Sequence, residues 1–159
     1  MECPIARSVS QMGDAWRVLI IRDALLGFRR FDEFETSLGI APNILAKRLS
    51  GLVADGLLAK RAYQQRPVRY EYQPTQKARD FALVIAALAT WGTRWLSPKG
   101  ATVSLVDKKS GELLQSAVVG QTSGRVFSRD DIKFIPGPRA GPEILKRAAR
   151  LRARKEQSS

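Results

Sequence analysis

The chain has 159 residues, 44% of them hydrophobic and 26% charged, with 27 Lys and Arg against 15 Asp and Glu for a net charge of +12. That size suits one domain, or a small domain with an appendage, and the composition excludes wholesale disorder, while the charge points to a polyanionic partner, nucleic acid before an anionic membrane surface. There is no His and only one Cys, which excludes Ser-His-Asp and Cys-His catalysis, His-ligated zinc, an internal disulfide and a multi-Cys metal site.

The opening residues, MECPIARSVSQMGDAW, lack a basic start followed by an apolar core, so no signal peptide is expected. The longest apolar run, Phe81 to Ala89, falls well short of the roughly 20 residues of a membrane span. A soluble, cytoplasmic protein without cofactor is the expectation.

Trp16 to Leu26 reads WRVLIIRDALL. Trp16, Leu19, Ile20 and Ala24, with Val18, Ile21 and Leu25, form a wide apolar stripe, so the spacing predicts a buried helix. Arg17, Arg22 and Asp23 fall on its wet side, Asp14 is its N-cap and Gly27 its C-cap. Phe31, Phe34 and Leu38 then sit at i, i+3 and i+7, predicting a second short helix that Gly39 ends.

Ile40 to Gly56 reads IAPNILAKRLSGLVADG, with Pro42 suited to a first helical turn. Leu45, Leu49, Leu52 and Val53 line one face, and Asn43, Ala46, Lys47 and Ser50 the other. The second face is not acidic, and its side chains are short or able to hydrogen-bond, as entry into a major groove requires. Taken alone it also reads as an ordinary solvated face. Two β-like runs follow, Leu57 to Arg61 and Arg69 to Gln73, flanking QQRPV with Arg61, Arg66 and Arg69 around the tip. Helix, short turn, helix and basic hairpin is the layout of a winged helix: the second helix enters the major groove and the hairpin reaches phosphates or the minor groove.

Thr75 is the expected N-cap of one long helix running to Leu96. Phe81, Ile85, Leu88, Trp91 and Trp95 recur along it at helical spacing. That stripe is longer than a small winged helix needs for its own core, which favours a dimer seam over purely internal packing.

From Pro98 the composition shifts. Ala101 to Val106 and Leu113 to Val119 read as strands around an Asp107–Gly111 turn, with Ile132 to Ile135 as a third. Pro136 to Pro142 breaks the chain. The tail then carries Lys146, Arg147, Arg150, Arg152, Arg154 and Lys155 against Glu143 and Glu156. It reads equally as a solubilising tail or as a salt-sensitive DNA-binding extension. The expected architecture is α+β: residues 1–97 a winged helix-turn-helix DNA-binding and dimerisation domain, 98–138 a small β-hairpin extension, 139–159 a basic tail.

Several landmarks in order resemble the HxlR group of winged-helix transcriptional regulators, relatives of the MarR type. They are Cys3-Pro4, GDAWRVLIIRDALLGFRRFDEF from Gly13 to Phe34, LGIAPNILAKRLSGLVADGLL from Leu38 to Leu58, RPVRYEYQPTQKARDF from Arg66 to Phe81, and Trp91-Gly92. The resemblance covers Cys3 to about Leu96. Ala15 departs from it where the family often has Lys, and Lys77-Ala78 where it often has Gly.

The resemblance implies a homodimer on a roughly palindromic duplex DNA operator. It places the recognition helix at Pro42 to Ala54, with Asn43, Ile44 and Lys47 for base edges and Arg48 for a phosphate or the scaffold. Arg29 and Arg30 are placed to reach the DNA backbone, and Arg66 and Arg69 belong to the wing. Cys3 occupies the position at which several members sense oxidants. With no second Cys, a sensing disulfide would join two subunits or a small thiol, or the thiol would form an adduct; a small buried hydrophobe is the bland alternative. Longer members carry a ribbon-like cysteine pattern after the long helix. Here Ser110-Gly111, Gly120 and Ser123-Gly124 fall at that spacing without thiolates, which implies a degenerate, metal-free ribbon.

The alternative from another class is a winged-helix protein–protein adaptor whose basic face is incidental. An enzyme ranks lowest: Asp32, Glu33 and Glu35 have no phosphate loop or base partner, and GxGxxG and GxxxxGK[ST] are absent. A small-molecule effector held between subunits by aromatics of the long helix stays open.

Overall fold

The computed structural model describes residues 3–156, without the side chains of the last two; residues 157–159 of the basic tail lie outside the described residues. The chain forms two compact units. One is Met12–Ser116; the other combines the residues up to Gln11 with those from Ala117 onward.

The larger unit is built on three helices. α2 (Ala15–Leu26) starts at Asp14, whose carboxylate accepts the Arg17 amide at 3.1 Å. It ends at Gly27, whose φ of +117° lets its N–H turn back to the carbonyls of Asp23 and Ala24. Both caps stand where the sequence places them. α3 (Phe31–Leu38) and α4 (Pro42–Ala54) follow, separated by Gly39 at φ +59° and the short Ile40-Ala41 turn. Ile20, Ile21 and Ala24 of α2, Phe34 of α3 and Leu45, Leu49 and Leu52 of α4 are fully buried together. Each large side chain so placed contributes roughly 1.5–3 kcal/mol relative to exposure.

Two residues depart from the predicted pattern: Arg17, expected on the wet side, keeps only 12% of its side chain exposed because it pairs with Asp55, and Asp23 departs further. Expected on the wet side of α2, it is 1% exposed. Its carboxylate accepts the Ser37 hydroxyl of α3 at 2.7 Å and the Arg22 Nε at 2.8 Å. A buried carboxylate is tolerable only with such partners, and the partner on α3 is not visible from α2's own periodicity.

β1 (Leu58–Gln65) and β2 (Val68–Pro74) pair antiparallel, Leu58 opposite Pro74 and Gln65 opposite Val68. The strands run farther than the sequence suggests, and the loop shrinks to Arg66-Pro67. Residues before α3 add to the outer edge of β2: Arg30 bridges Glu71, and the Tyr72 amide donates to the Arg29 carbonyl at 2.7 Å. The Phe34 and Tyr72 rings meet edge-on, which seats the hairpin on the helical core.

The predicted single helix from Thr75 to Leu96 is two helices, α5 (Gln76–Asp80) and α6 (Ala82–Leu96), broken at Phe81. There the amide donates to Ala78 three residues back, tightening the turn. Thr75 precedes α5 but does not cap it with its side chain. Its hydroxyl donates instead to the Gly56 carbonyl at 2.7 Å, tying α5 to the turn after α4.

Of the predicted strands beyond Pro98, Ala101–Val106 reduces to one bridge, Val106 with Leu113, and Leu113–Val119 keeps β3 (Val118–Val119), paired with β4 (Val126–Phe127). Ile132–Ile135 is not a strand, and Phe134 is 85% exposed. Alternation alone does not hold a strand without a partner or a face to bury.

Two turns here share one hydrogen-bond pattern. In Asp107–Gly111 the Gly111 N–H donates to the Asp107 carbonyl and the Asp107 N–H to Glu112; in Gly120–Gly124 the Gly124 N–H donates to Gly120 and the Gly120 N–H to Arg125. The Ser110 and Ser123 hydroxyls accept the next-but-one amide at 3.2 Å in each. A serine oxygen thus closes each turn. A helix, α7 (Pro142–Glu156), closes the described chain.

Candidate nucleic-acid interface

α4 turns Leu45, Leu49 and Leu52 into the core, which leaves Asn43, Ala46, Lys47 and Ser50 exposed on its outer face. The Asn43 Oδ1 accepts the Ile44 amide at 2.9 Å in the first turn. Ile44, expected beside Asn43 and Lys47, is half-buried and packs against the core.

Two ion pairs hold α4 to α2. The Arg48 Nε lies 2.5 Å from Oδ2 of Asp14, the residue that caps α2. Arg17 of α2 reaches the other way to Asp55, at the end of α4. Gly51 makes room for that second contact: a Cβ there would lie 2.9 Å from the Arg17 guanidinium. Of the two roles open to Arg48, phosphate or scaffold, this geometry supplies a scaffold contact.

Arg29 is likewise tied to the chain. Its guanidinium donates to the Phe28 carbonyl at 2.7 Å and to the Ala24 carbonyl at 2.5 Å, covering the open end of α2. Arg30 lies over the Tyr63 ring at 4.7 Å from its centre. The amides of Arg29 and Arg30 both donate to the Glu33 carboxylate, at 2.7 and 2.8 Å. These two hydrogen bonds hold the Glu33 pKa below its ordinary value.

The wing carries Arg61, Arg66 and Arg69, all exposed. Lys60, which the sequence reading passed over, stands 3.9 Å over the Tyr70 ring. Its place on β1 across from Tyr72 was legible only once the register was known. The structure therefore brings Asn43 and Lys47 onto one exposed helix face and Arg66 and Arg69 onto the hairpin tip. Arg29, Arg30 and Arg48 each also make a contact within the fold.

Phe81 at the break and Ile85 on α6 are half-buried, whereas Leu88, Trp91 and Trp95 are 50%, 56% and 60% exposed. Leu83 and Val84 beside them are exposed too, and no residue of α6 is buried. In the other unit, Cys3 is a free, half-buried thiol just ahead of α1 (Pro4–Met12). The amide of Ala6 chiefly, then that of Ile5, with Arg147 and Arg7, lowers its pKa. No helix among the described residues is long and apolar enough to cross a membrane.

A family model for HxlR-like helix-turn-helix proteins matches residues 11–100. The chain belongs to this family. The HxlR-like match spans α2 to α6 and so takes in the helix-turn-helix, the wing and the exposed aromatic helix. The chain is also 32% identical over 135 residues to a Mycobacterium tuberculosis protein described as the uncharacterised HTH-type transcriptional regulator Rv3095, covering 84% of this chain and 85% of that one. Among solved structures it resembles PA1374 of Pseudomonas aeruginosa, described as a transcription factor. The identity is 46% and the TM-score 0.67, over 91% of this chain and 99% of that one. The redox regulator HypR in its reduced form is 25% identical with a TM-score of 0.56, over 60% of this chain and 95% of that one.

Proposed function

We propose that the protein is a sequence-specific transcriptional regulator that binds a roughly palindromic operator as a homodimer. The observation that carries this reading is the exposed face of α4, where Asn43 and Lys47 stand clear on a helix tied to the start of α2 at its middle and its C-terminal end. In this reading Asn43 and Lys47 contact base edges in the major groove, with Ile44 at their margin. Arg66 and Arg69 on the wing contact phosphates. Arg29, Arg30 and Arg48 act as positioning residues.

The α6 stripe of Leu88, Trp91 and Trp95 is covered by a second copy of the chain. Large aromatics half or more exposed along one helix are what a dimer seam presents in a free subunit. Two α4 helices so coupled read half-sites about 34–36 Å apart, or a multiple of that. The signal is oxidation or alkylation at Cys3, supported by its depressed thiol pKa and by the similarity to HypR.

The test is binding to duplex DNA from upstream of the protein's own gene, against a scrambled duplex, at two salt concentrations. The wild type prefers the upstream duplex at both. Asn43→Ala and Lys47→Ala each lose about 1–3 kcal/mol of that preference, while Arg66→Ala weakens binding to both duplexes alike. Equal binding to both duplexes that vanishes at higher salt would leave the net charge alone at work and favour the adaptor reading.

A further inference from the structure

Four of the cations of α7 share one side, while Arg152 stands exposed on another. Lys146, Arg150 and Arg154 stand at i, i+4 and i+8, with Arg147 beside them, and all four are exposed. A helix of 3.6 residues per turn places these positions in one stripe. Ile144 and Ala148, at i and i+4 on another face, are the half-buried side chains of the helix. The stripe thus lies away from the half-buried Ile144 and Ala148.

This placement is not explained by the helix itself. Like charges one turn apart repel, by a few tenths of a kcal/mol per pair. The macrodipole favours cations in the last turn, which accounts for Arg154 but not for Lys146 and Arg147 in the first half. Glu143, the acidic residue of the first turn, meets Lys146 at 3.2 Å in an exposed pair, which contributes little. Among the described residues Arg150 meets no carboxylate. Lys146, Arg147 and Arg150, set against one another in the first half of the helix, are relieved by an external polyanion.

We infer that the Lys146–Arg147–Arg150–Arg154 stripe is a phosphate-contacting surface for duplex DNA that works irrespective of base sequence. The inference deepens the proposed DNA-binding function and rests on it for the identity of the polyanion. The stripe rises about 12 Å along the helix axis, at 1.5 Å per residue. A duplex carries a charge about every 1.7 Å along its axis, so several phosphates lie within reach of such a length. A membrane surface fits less well, because the apolar edge of α7 has no aromatic residue and few large aliphatic ones.

The experiment uses the full chain with Lys146→Gln, Arg147→Gln, Arg150→Gln and Arg154→Gln together. Binding to the upstream duplex and to the scrambled duplex is followed by fluorescence anisotropy between 50 and 200 mM salt, a range over which each phosphate contact adds about −0.9 to the slope of log K against log salt. The variant's slope becomes shallower by about two or more, which makes its fourfold-salt loss of affinity about sixteenfold smaller than that of the wild type. The wild-type-to-variant ratio is the same on both duplexes. A second variant, Arg147→Lys, Arg150→Lys and Arg154→Lys, keeps the wild-type slope, which separates loss of charge from loss of the helix.

Equal slopes for wild type and the glutamine variant overturn the inference, as does an affinity loss confined to one duplex. Adsorption to vesicles of anionic lipid that the glutamine variant loses, with duplex slopes unchanged, also overturns it and assigns the stripe to a membrane surface. If the wild type shows no preference for the upstream duplex while the slopes still differ, the sequence-specific reading fails and the stripe stands.

Discussion

Arg48, which the sequence leaves open between phosphate and scaffold, lies against Asp14, and a double-mutant cycle between the two decides its role. Asp14 caps α2 by accepting the Arg17 amide, and its other oxygen pairs with Arg48. Asp14→Ala removes the cap, worth about 1 kcal/mol, and the ion pair with it. The two side chains are 25% and 32% exposed, so solvent screens the pair and its share is about 0.5–1 kcal/mol. The single variant should therefore lose about 1.5–2 kcal/mol, a fall in Tm of roughly 6–16 °C for a domain of this size. Arg48→Ala should lose only the pair's share, and the double variant should show a coupling of about 0.5–1 kcal/mol by urea unfolding. Its slope of log K against log salt on duplex DNA should stay within experimental error of the wild type. No measurable coupling, with a slope shallower by about 0.9, would make Arg48 a phosphate contact and refute the clamp.

Trp91→Glu places a charge in the exposed α6 stripe and should convert a dimer to monomer in sedimentation while leaving the far-ultraviolet spectrum intact; a monomeric wild type would remove the α6 seam. Glu33 accepts two backbone amides, so its pKa is lower folded than unfolded. Its contribution to stability is fully present above the unfolded value, about 4.3, and is lost as pH falls through the folded one. The stability gap between wild type and Glu33→Gln should therefore narrow on acidification from pH 6, and a gap unchanged down to pH 3 would contradict this. Cys3 should alkylate with a rate midpoint below that of a cysteine in an unstructured peptide measured alongside it; a midpoint at or above the peptide's would remove the depressed thiol pKa from the argument for sensing.

The helical core was legible because each helix of the larger unit buries one face on a 3.6 period. Leu45, Leu49 and Leu52 fix α4 without knowledge of any neighbour, and the complementary face of Asn43, Ala46, Lys47 and Ser50 follows by exclusion. Asp14 and Gly27 were legible for a similar reason, since a cap acts on residues within one turn of itself. The break at Phe81 was not, because Phe81 continues the apolar stripe whether or not the helix tightens there.

What escaped the sequence depends on partners far along the chain. Asp23 reads as solvated until Ser37 of α3 is placed against it. Arg48 stays open between phosphate and scaffold until the start of α2 is seen beside it, 34 residues earlier. The consequence reaches the site itself. On a winged helix of high positive charge, arginine identity is a poor guide to which residues meet DNA, because the fold uses arginines to hold its own helices. Arg29 covers the end of α2, Arg30 stacks on the wing and Arg17 crosses Gly51 to reach Asp55. Removing these positioning arginines should disturb the recognition face through its geometry, whereas removing Lys47 should change only what that face reads. Arg17, Arg29, Arg30 and Arg48 hold helices and wing together, whereas Asn43 and Lys47 stand exposed on the outer face of α4.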